Sequence, residues 1–346
     1  MTNNARSVDW VPDVLDGYLQ RQIPLGTDPD GEGEIGATLV RREPATPPPS
    51  GLAVLYVHGY TDYFFQRHVG THFAERGYAF YALDLRKCGR SRRPGQTAHY
   101  VGDLALYDTE LDEALRIVRA ETGARVLVLS HSTGGLVTSL WLHRRNTDPA
   151  YPGGAPAAGI CGIVLNSPWF DLHGPAMYRS VGTTLIGVAG RLRGRAILPG
   201  QSNNTYGSSL HSAAHGDWDF DTEWKPLSGI PIRLGWLRAV RRGQARLHRG
   251  LNLGTPALVL RSNRSRFAVR YEPAVDLADA VLDVDQIQRW AGCLGGRTTI
   301  VPIPDARHDV FLSAPTPLAT AFAELDLWLD WLERIGTAGR ARVSAD

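Results

Sequence analysis

The chain has little cysteine, no excess of either charge and no long apolar run. Its 346 residues include three cysteines, Cys88, Cys161 and Cys293, which cannot all pair, and none stands in a C-x-x-C. That argues against a disulfide scaffold and for a reduced, cytoplasmic protein. The formal net charge is +2 and the pI near 8.5, too balanced to suggest a nucleic-acid partner. No run approaches the roughly 18 apolar residues of a membrane span. The first ten residues, MTNNARSVDW, are polar and lack the apolar core of a signal peptide. What remains is ordinary globular material, 43% hydrophobic and 21% charged, enough for one large α/β domain or two small ones.

The most informative stretch is Val126 to Gly135, VLVLSHSTGG. Four apolar residues, half of them β-branched, run into Ser130-His131-Ser132-Thr133-Gly134-Gly135, and a helix-like pattern follows from Leu136 to Arg145. A buried strand that turns sharply into a helix, with a serine at the turn, is the nucleophile-elbow arrangement. The usual pattern is G-x-S-x-G, and here Ser130 replaces the first glycine. The turn is tight, so the residues two before and two after the serine must be small, as Ser130 and Gly134 are. A serine hydroxyl needs a base to become nucleophilic, and the amides that open the next helix point where an oxyanion would form. Ser132 is therefore the candidate nucleophile and the Thr133 amide a candidate oxyanion donor. Ser130 is a weaker rival because it still belongs to the strand. A plain strand-to-helix loop rich in turn formers is the bland alternative.

The rest of the chain alternates strands and helices. Tyr18 to Ile23 and Ile35 to Arg41 read as short strands around the turn Thr27 to Gly33, before a proline-rich loop from Pro44 to Gly51. Leu52 to Val57 reads as a buried strand ending in His58-Gly59-Tyr60-Thr61-Asp62. The Tyr60 amide is the candidate second oxyanion donor, while the His58 side chain reads as structural. A helix is expected from Tyr63 to Arg76, a strand from Tyr78 to Leu85, and a long amphipathic helix from Val101 to Thr122. Later strands are expected at Ile160 to Leu165, Pro256 to Leu260 and Thr298 to Ile303. Helices are expected from Val284 to Cys293 and from Leu318 to Ile335, with a frayed tail from 336 onward. This alternation predicts a mostly parallel sheet flanked by helices.

In such sheets, sites form beyond the carboxyl ends of the strands. Ser132, His308 and several aspartates all follow strand ends, in the order Ser, Asp, His. His308, in the loop after the last strand, is placed to act as general base. Asp279 is the preferred acid, lying between strand and helix 29 residues before His308. Asp283 and Asp276 are near rivals and Asp171 a more distant one, each equally readable as a helix cap or loop carboxylate. His131 reads as structural, its side chain expected on the far side of the strand. Cys88 reads as structural too.

Together, HGYTD, SHSTGG, DAVLDV and ARHDVFLS resemble the monoacylglycerol-lipase and lysophospholipase-like branch of the α/β-hydrolases, a branch often labelled serine aminopeptidase. The Asp84 to Ser91 loop also resembles that fold's D-x-R-G-x-G-x-S segment, with Lys87 in place of a glycine. The resemblance covers roughly residues 50 to 170 and 255 to 335 and implies an α/β-hydrolase fold. It favours Asp279 as the acid, because DAVLDV is similar to a segment whose first aspartate has that role. It implies a cofactor-free and metal-free serine esterase acting on a small-molecule ester. An aminopeptidase, a thioesterase or a non-catalytic binding protein on the same fold are the alternatives.

Between Phe170 and Leu251 the alternation breaks. Residues 171 to 250 therefore read as a cap inserted into a discontinuous core of residues 1 to 170 and 251 to 346. Within the cap, Gly216 to Trp224 alternates acids with aromatics. Period two sets Trp218, Phe220 and Trp224 on one face and Asp217, Asp219, Asp221 and Glu223 on the other. The aromatic face either lines an acyl pocket or packs the cap onto the core. Arg191, Arg193, Arg195, Arg238, Arg241 and Arg242 either meet an anionic headgroup or form a solvated face.

Overall fold

The computed structural model describes residues 9–43, 48–173, 186–187, 189–199 and 204–343, with side chains of the last helix described to Ile335. Parts of the expected cap and of the proline-rich loop therefore lie outside the described residues. The strands are β1 (Val11–Pro12), β2 (Tyr18–Thr27), β3 (Glu34–Arg42), β4 (Leu52–Val57), β5 (Ala79–Asp84), β6 (Arg125–His131), β7 (Ile160–Asn166), β8 (Ala257–Ser262) and β9 (Thr298–Ile303). They form one sheet in the order β1-β2-β3-β5-β4-β6-β7-β8-β9. From β5 to β9 every pairing is parallel, and β1 to β3 join it antiparallel at one end. This is the mostly parallel sheet flanked by helices that the alternation predicts, and it agrees with the α/β-hydrolase fold that the resemblance implies.

Period two distributes the central strand between two cores. Val126 and Val128 enter one, with Leu55, Val57, Leu111, Leu136 and Trp141. Leu127 and Leu129 enter the other, with Val54, Tyr56, Phe64, Phe73 and Trp328. Both faces of β4 and most of β6 are buried, which is why they read as continuous apolar runs. The helices α1 (Arg67–Glu75), α2 (Asp108–Thr122) and α3 (Thr133–Thr147) cover these faces. Strand order reverses between β4 and β6, and such a switch point opens a crevice at the strands' carboxyl ends.

Several boundaries differ from the sequence reading; β2, for one, runs on to Thr27. The first helix starts at Arg67 rather than Tyr63, because Asp84 Oδ1 accepts the Phe64 amide and Arg90 Nη1 donates to the Phe64 carbonyl. Those bonds hold Tyr63 to Gln66 outside the helix. The second helix begins as a 3-10 turn, Leu104–Tyr107, capped by Asp103, before becoming α2. The closing helix runs Pro315–Val343, so the expected frayed tail is helical as far as described.

Candidate active site

The elbow lies between β6 and α3. Ser132 has φ 53° and ψ −117°, a conformation that residues with a Cβ adopt only when their surroundings impose it. The Ser132 amide donates to the Asn166 carbonyl at 2.9 Å, and its own carbonyl accepts from Gly135 and Trp169, both at 3.0 Å. A Cβ at position 134 would collide with the His58 carbonyl oxygen and lie 2.8 Å from that of Val57, so glycine is required there. Ser130 is accommodated differently. Its hydroxyl pairs with Thr138 Oγ1 at 2.9 Å, and Thr138 donates to the Gly134 carbonyl. Ser130 is thus turned into the root of α3 and wholly buried.

His308 Nε2 lies 3.0 Å from Ser132 Oγ, and His308 Nδ1 lies 2.9 Å from Asp279 Oδ2. A carboxylate only accepts, so Nδ1 carries the proton and Nε2 presents its lone pair to the serine. Asp279 Oδ1 accepts the Val281 and Leu282 amides at 2.8 and 2.7 Å, which fixes the carboxylate within its loop. Asp279, His308 and Ser132 are 0%, 2% and 8% exposed, so all three are buried.

The rival acids are occupied elsewhere. Asp283 caps the helix Val284–Ala291 by accepting the Asp285 amide. Asp276 binds Arg307 and Tyr271, and Asp171 binds Arg241 and Trp290. His131 departs from expectation. It does not leave the site side of β6: its ring centroid is 4.9 Å from that of His308, and Nδ1 lies 3.2 Å from Asp62 Oδ2. His131 is the last paired residue of β6, opposite Asn166, and keeps the strand's alternation: Ser130 turns to α3, and His131 takes the other face, on which His308 lies.

The HGYTD loop packs directly on the elbow. A Cβ at Gly59 would lie 3.0 Å from Ser132 Cβ. His58 Nε2 accepts the Leu85 amide at 3.1 Å, so its Nδ1 proton goes to the Gly59 carbonyl, and the side chain is structural. Thr133 is the first residue of α3, so its N–H is among those a helix leaves without an intrahelical partner. The loop after His308 is held by Asp309, which accepts from Asn166 Nδ2, Gln66 Nε2 and the Phe311 amide. Tyr206, from beyond β7, accepts the Asp309 amide at its hydroxyl and sets its ring edge-on to His308.

Phe220 is buried in a cluster with Tyr63, Phe65, Leu210 and Leu312, against which Trp218 and Trp224 pack. Trp218 stacks on His68 and donates Nε1–H to the Leu312 carbonyl. The alternate acids Asp217, Asp219, Asp221 and Glu223 are exposed. Among the arginines, Arg195 binds Glu32, Arg241 is buried against Asp171, and Arg242 pairs with Asp103. Sequence reasoning missed Lys225, which follows the aromatic run. Its Nζ reaches Asp62 Oδ1 at 2.8 Å in a buried position. Period two assigns Lys225 to the face of Asp217 to Glu223, so no local signal marks it as buried.

Burial alone would raise the Asp62 carboxyl, but the Lys225 ammonium, then the His131 hydrogen bond, outweigh it and hold the group well below the usual carboxylate range. Burial pushes the Cys88 thiol up and, with His58 nearby, His99 down. Cys88 is accordingly an inert core residue. Among the described residues no group of three or more His, Cys, Asp or Glu is arranged to hold a metal, and no helix is long and apolar enough to cross a membrane.

A family model described as serine aminopeptidase, S33, matches residues 48–311. None of the curated proteins matches the chain in sequence. Among solved structures, a soluble variant of monoglyceride lipase from Saccharomyces cerevisiae, in complex with a substrate analog, is similar at TM-score 0.60 and 17% identity, covering 94% of each chain. A monoacylglycerol lipase from Paleococcus ferrophilus is similar at 0.57 and 17% identity, covering 92% of this chain and 98% of that one. A thermophilic esterase from Thermogutta terrifontis, malate bound, is similar at 0.52 and 16% identity, covering 90% and 99%. At such identities these likenesses establish the fold alone.

Proposed function

Since the chain belongs to the serine aminopeptidase S33 family of hydrolases, we propose that it cleaves carboxylic esters, with Ser132 as nucleophile, His308 as general base and acid, and Asp279 as the orienting carboxylate. The observation that carries this reading is the unbroken line from Ser132 Oγ through the His308 ring to Asp279, at 3.0 and 2.9 Å. His308 Nε2 takes the Ser132 proton as Oγ attacks the ester carbonyl carbon. The carbonyl oxygen becomes an oxyanion, received by the Tyr60 and Thr133 amides. As the tetrahedral intermediate collapses, the C–O bond to the alcohol breaks and His308 gives that oxygen its proton. Water then repeats the sequence on the acyl-enzyme and releases the acid and free Ser132.

An ester is favoured over a peptide amino terminus by the carboxylates around the site. A substrate ammonium would need a free acid aimed inward. Asp62 is engaged by Lys225 and His131, Asp279 by His308 and two amides, and Asp309 by three donors. The acidic run Asp217 to Glu223 faces solvent, while the aromatics beside it face inward. We therefore assign the segment 171–250 as a cap over an apolar acyl site, with an acylglycerol, lysophospholipid or similar small ester as substrate. Trp218, Phe220 and Trp224 brace its wall.

A fluorophosphonate probe should label wild-type protein at Ser132, located by peptide mass. p-Nitrophenyl esters of graded acyl length should be turned over with an optimum that measures the pocket. Amino-acyl p-nitroanilides should be poor substrates. Their efficient cleavage, lost when Asp217, Asp219, Asp221 and Glu223 become Asn or Gln, would replace the ester reading by the aminopeptidase.

A further inference from the structure

Lys225 is a buried ammonium that the hydrolytic scheme does not use. It is 6% exposed and lies beyond β7, far in sequence from the loop after β4 that it touches. Its Nζ is 2.8 Å from Asp62 Oδ1 and 3.3 Å from the Thr61 carbonyl oxygen, and 5.8 and 5.7 Å from the ring centres of Phe65 and Phe220. An ammonium so enclosed is tolerable only where acceptors meet it, so these contacts fix where it can sit.

The same segment also grips Tyr60 and Thr61. Tyr60 Oη donates to the Pro231 carbonyl at 3.1 Å, and its ring lies 4.0 Å from that of Trp236. The Ile230 amide donates to Thr61 Oγ1 at 3.0 Å. Thr61 has φ 53°, a left-handed conformation that a β-branched residue keeps only under such constraint. Asp62 carries the grip onward through Oδ2 to His131, the residue before Ser132. The loop is thus held from the segment Lys225 to Trp236 and braced against the elbow at the same carboxylate.

We propose that Lys225 is a positioning residue: it clamps the Tyr60–Asp62 loop so that the Tyr60 amide stands where the oxyanion forms. The proposal rests on the reading of Ser132 as nucleophile and of the Tyr60 amide as oxyanion donor. It makes the segment after the aromatic run part of the catalytic geometry as well as a cover, so that displacing that segment slackens the loop.

The test compares wild type with Lys225→Met, which keeps the stem and removes the charge, and with Asp62→Asn/Lys225→Met, which leaves no unpaired buried carboxylate if the single variant folds poorly. Hydrogen exchange of peptides spanning Tyr60–Asp62 reads the clamp without requiring activity. Exchange there should rise at least roughly tenfold while β4 and β6 stay protected. The rate of fluorophosphonate labelling and kcat for a p-nitrophenyl ester should fall together, about 10- to 100-fold, with KM within about threefold. Unchanged exchange in a folded variant overturns the clamp. Faster exchange with unchanged labelling and kcat overturns the positioning role. A wild-type protein that no fluorophosphonate labels overturns the hydrolase reading instead, and the exchange comparison then judges the clamp alone.

Discussion

Replacing Asp279 by asparagine exchanges a carboxylate oxygen for an NH2, and the loop around it dictates where that NH2 goes. Oδ1 accepts two backbone amides, from Val281 and Leu282, while Oδ2 faces His308 Nδ1. Turning the asparagine so that its NH2 met those two amides would leave two buried donors without acceptors, at about 1–3 kcal/mol each. The amide oxygen therefore stays with Val281 and Leu282, and the NH2 is aimed at His308. His308 Nδ1 must then accept, its proton moves to Nε2, and Ser132 loses its base. Restoring the productive tautomer costs roughly 2–6 kcal/mol from the two stranded amides, and the stabilisation of the imidazolium is lost as well. A fall in kcat on the order of 10⁴, about 5 kcal/mol, is expected, with the protein still folded. Steady-state hydrolysis of a p-nitrophenyl ester, with urea unfolding as control, measures it. An Asp279→Asn enzyme within about tenfold of wild type, alongside an inactive Asp283→Asn, Asp276→Asn or Asp171→Asn, would refute the reasoning and move the acid.

Ser132→Ala should lower ester turnover by several orders of magnitude, whereas Ser130→Ala, which removes only the bond to Thr138, should keep kcat within a few-fold and lose about 1 kcal/mol of stability. The reverse pattern would make Ser130 the nucleophile. Gly134→Ala should destabilise by roughly 1–3 kcal/mol or more, because its Cβ meets the His58 and Val57 carbonyls, and a wild-type urea midpoint would contradict that packing. The fold holds His99 neutral below its ordinary pKa, by burial and then by His58, while the unfolded chain protonates near about 6.5. Stability should therefore decline as pH falls below that value, by up to about 1.4 kcal/mol per pH unit from this group. Urea titrations from pH 7.5 to 5 should show a shallower slope in His99→Gln, and an identical slope would show that His99 does not carry the effect.

Much of this molecule can be read from one dimension, because the evidence is local. β4 and β6 announce themselves as apolar runs because both of their faces are buried. Ser132 is visible from its neighbours, since a tight turn admits only small residues at 130 and 134. His308 follows from chain order and from its position just after the last strand. Trp218, Phe220 and Trp224 pack inward and the acids face outward as the alternation of the letters suggests, although Gly216 to Trp224 forms no strand. What the sequence leaves open depends on groups far apart in the chain. Asp279, Asp283, Asp276 and Asp171 are alike as letters. Only packing shows that one meets His308 while the others meet an amide, an arginine and a tyrosine, or another arginine and a tryptophan. His131 reaches Asp62 because the loops carrying Asp62 and His308 both close over its face of β6, which the strand's own alternation does not reveal. Lys225 finds Asp62 across 163 residues of chain, a pairing that no local pattern encodes, since a buried charge is assigned a partner only by the fold that encloses both.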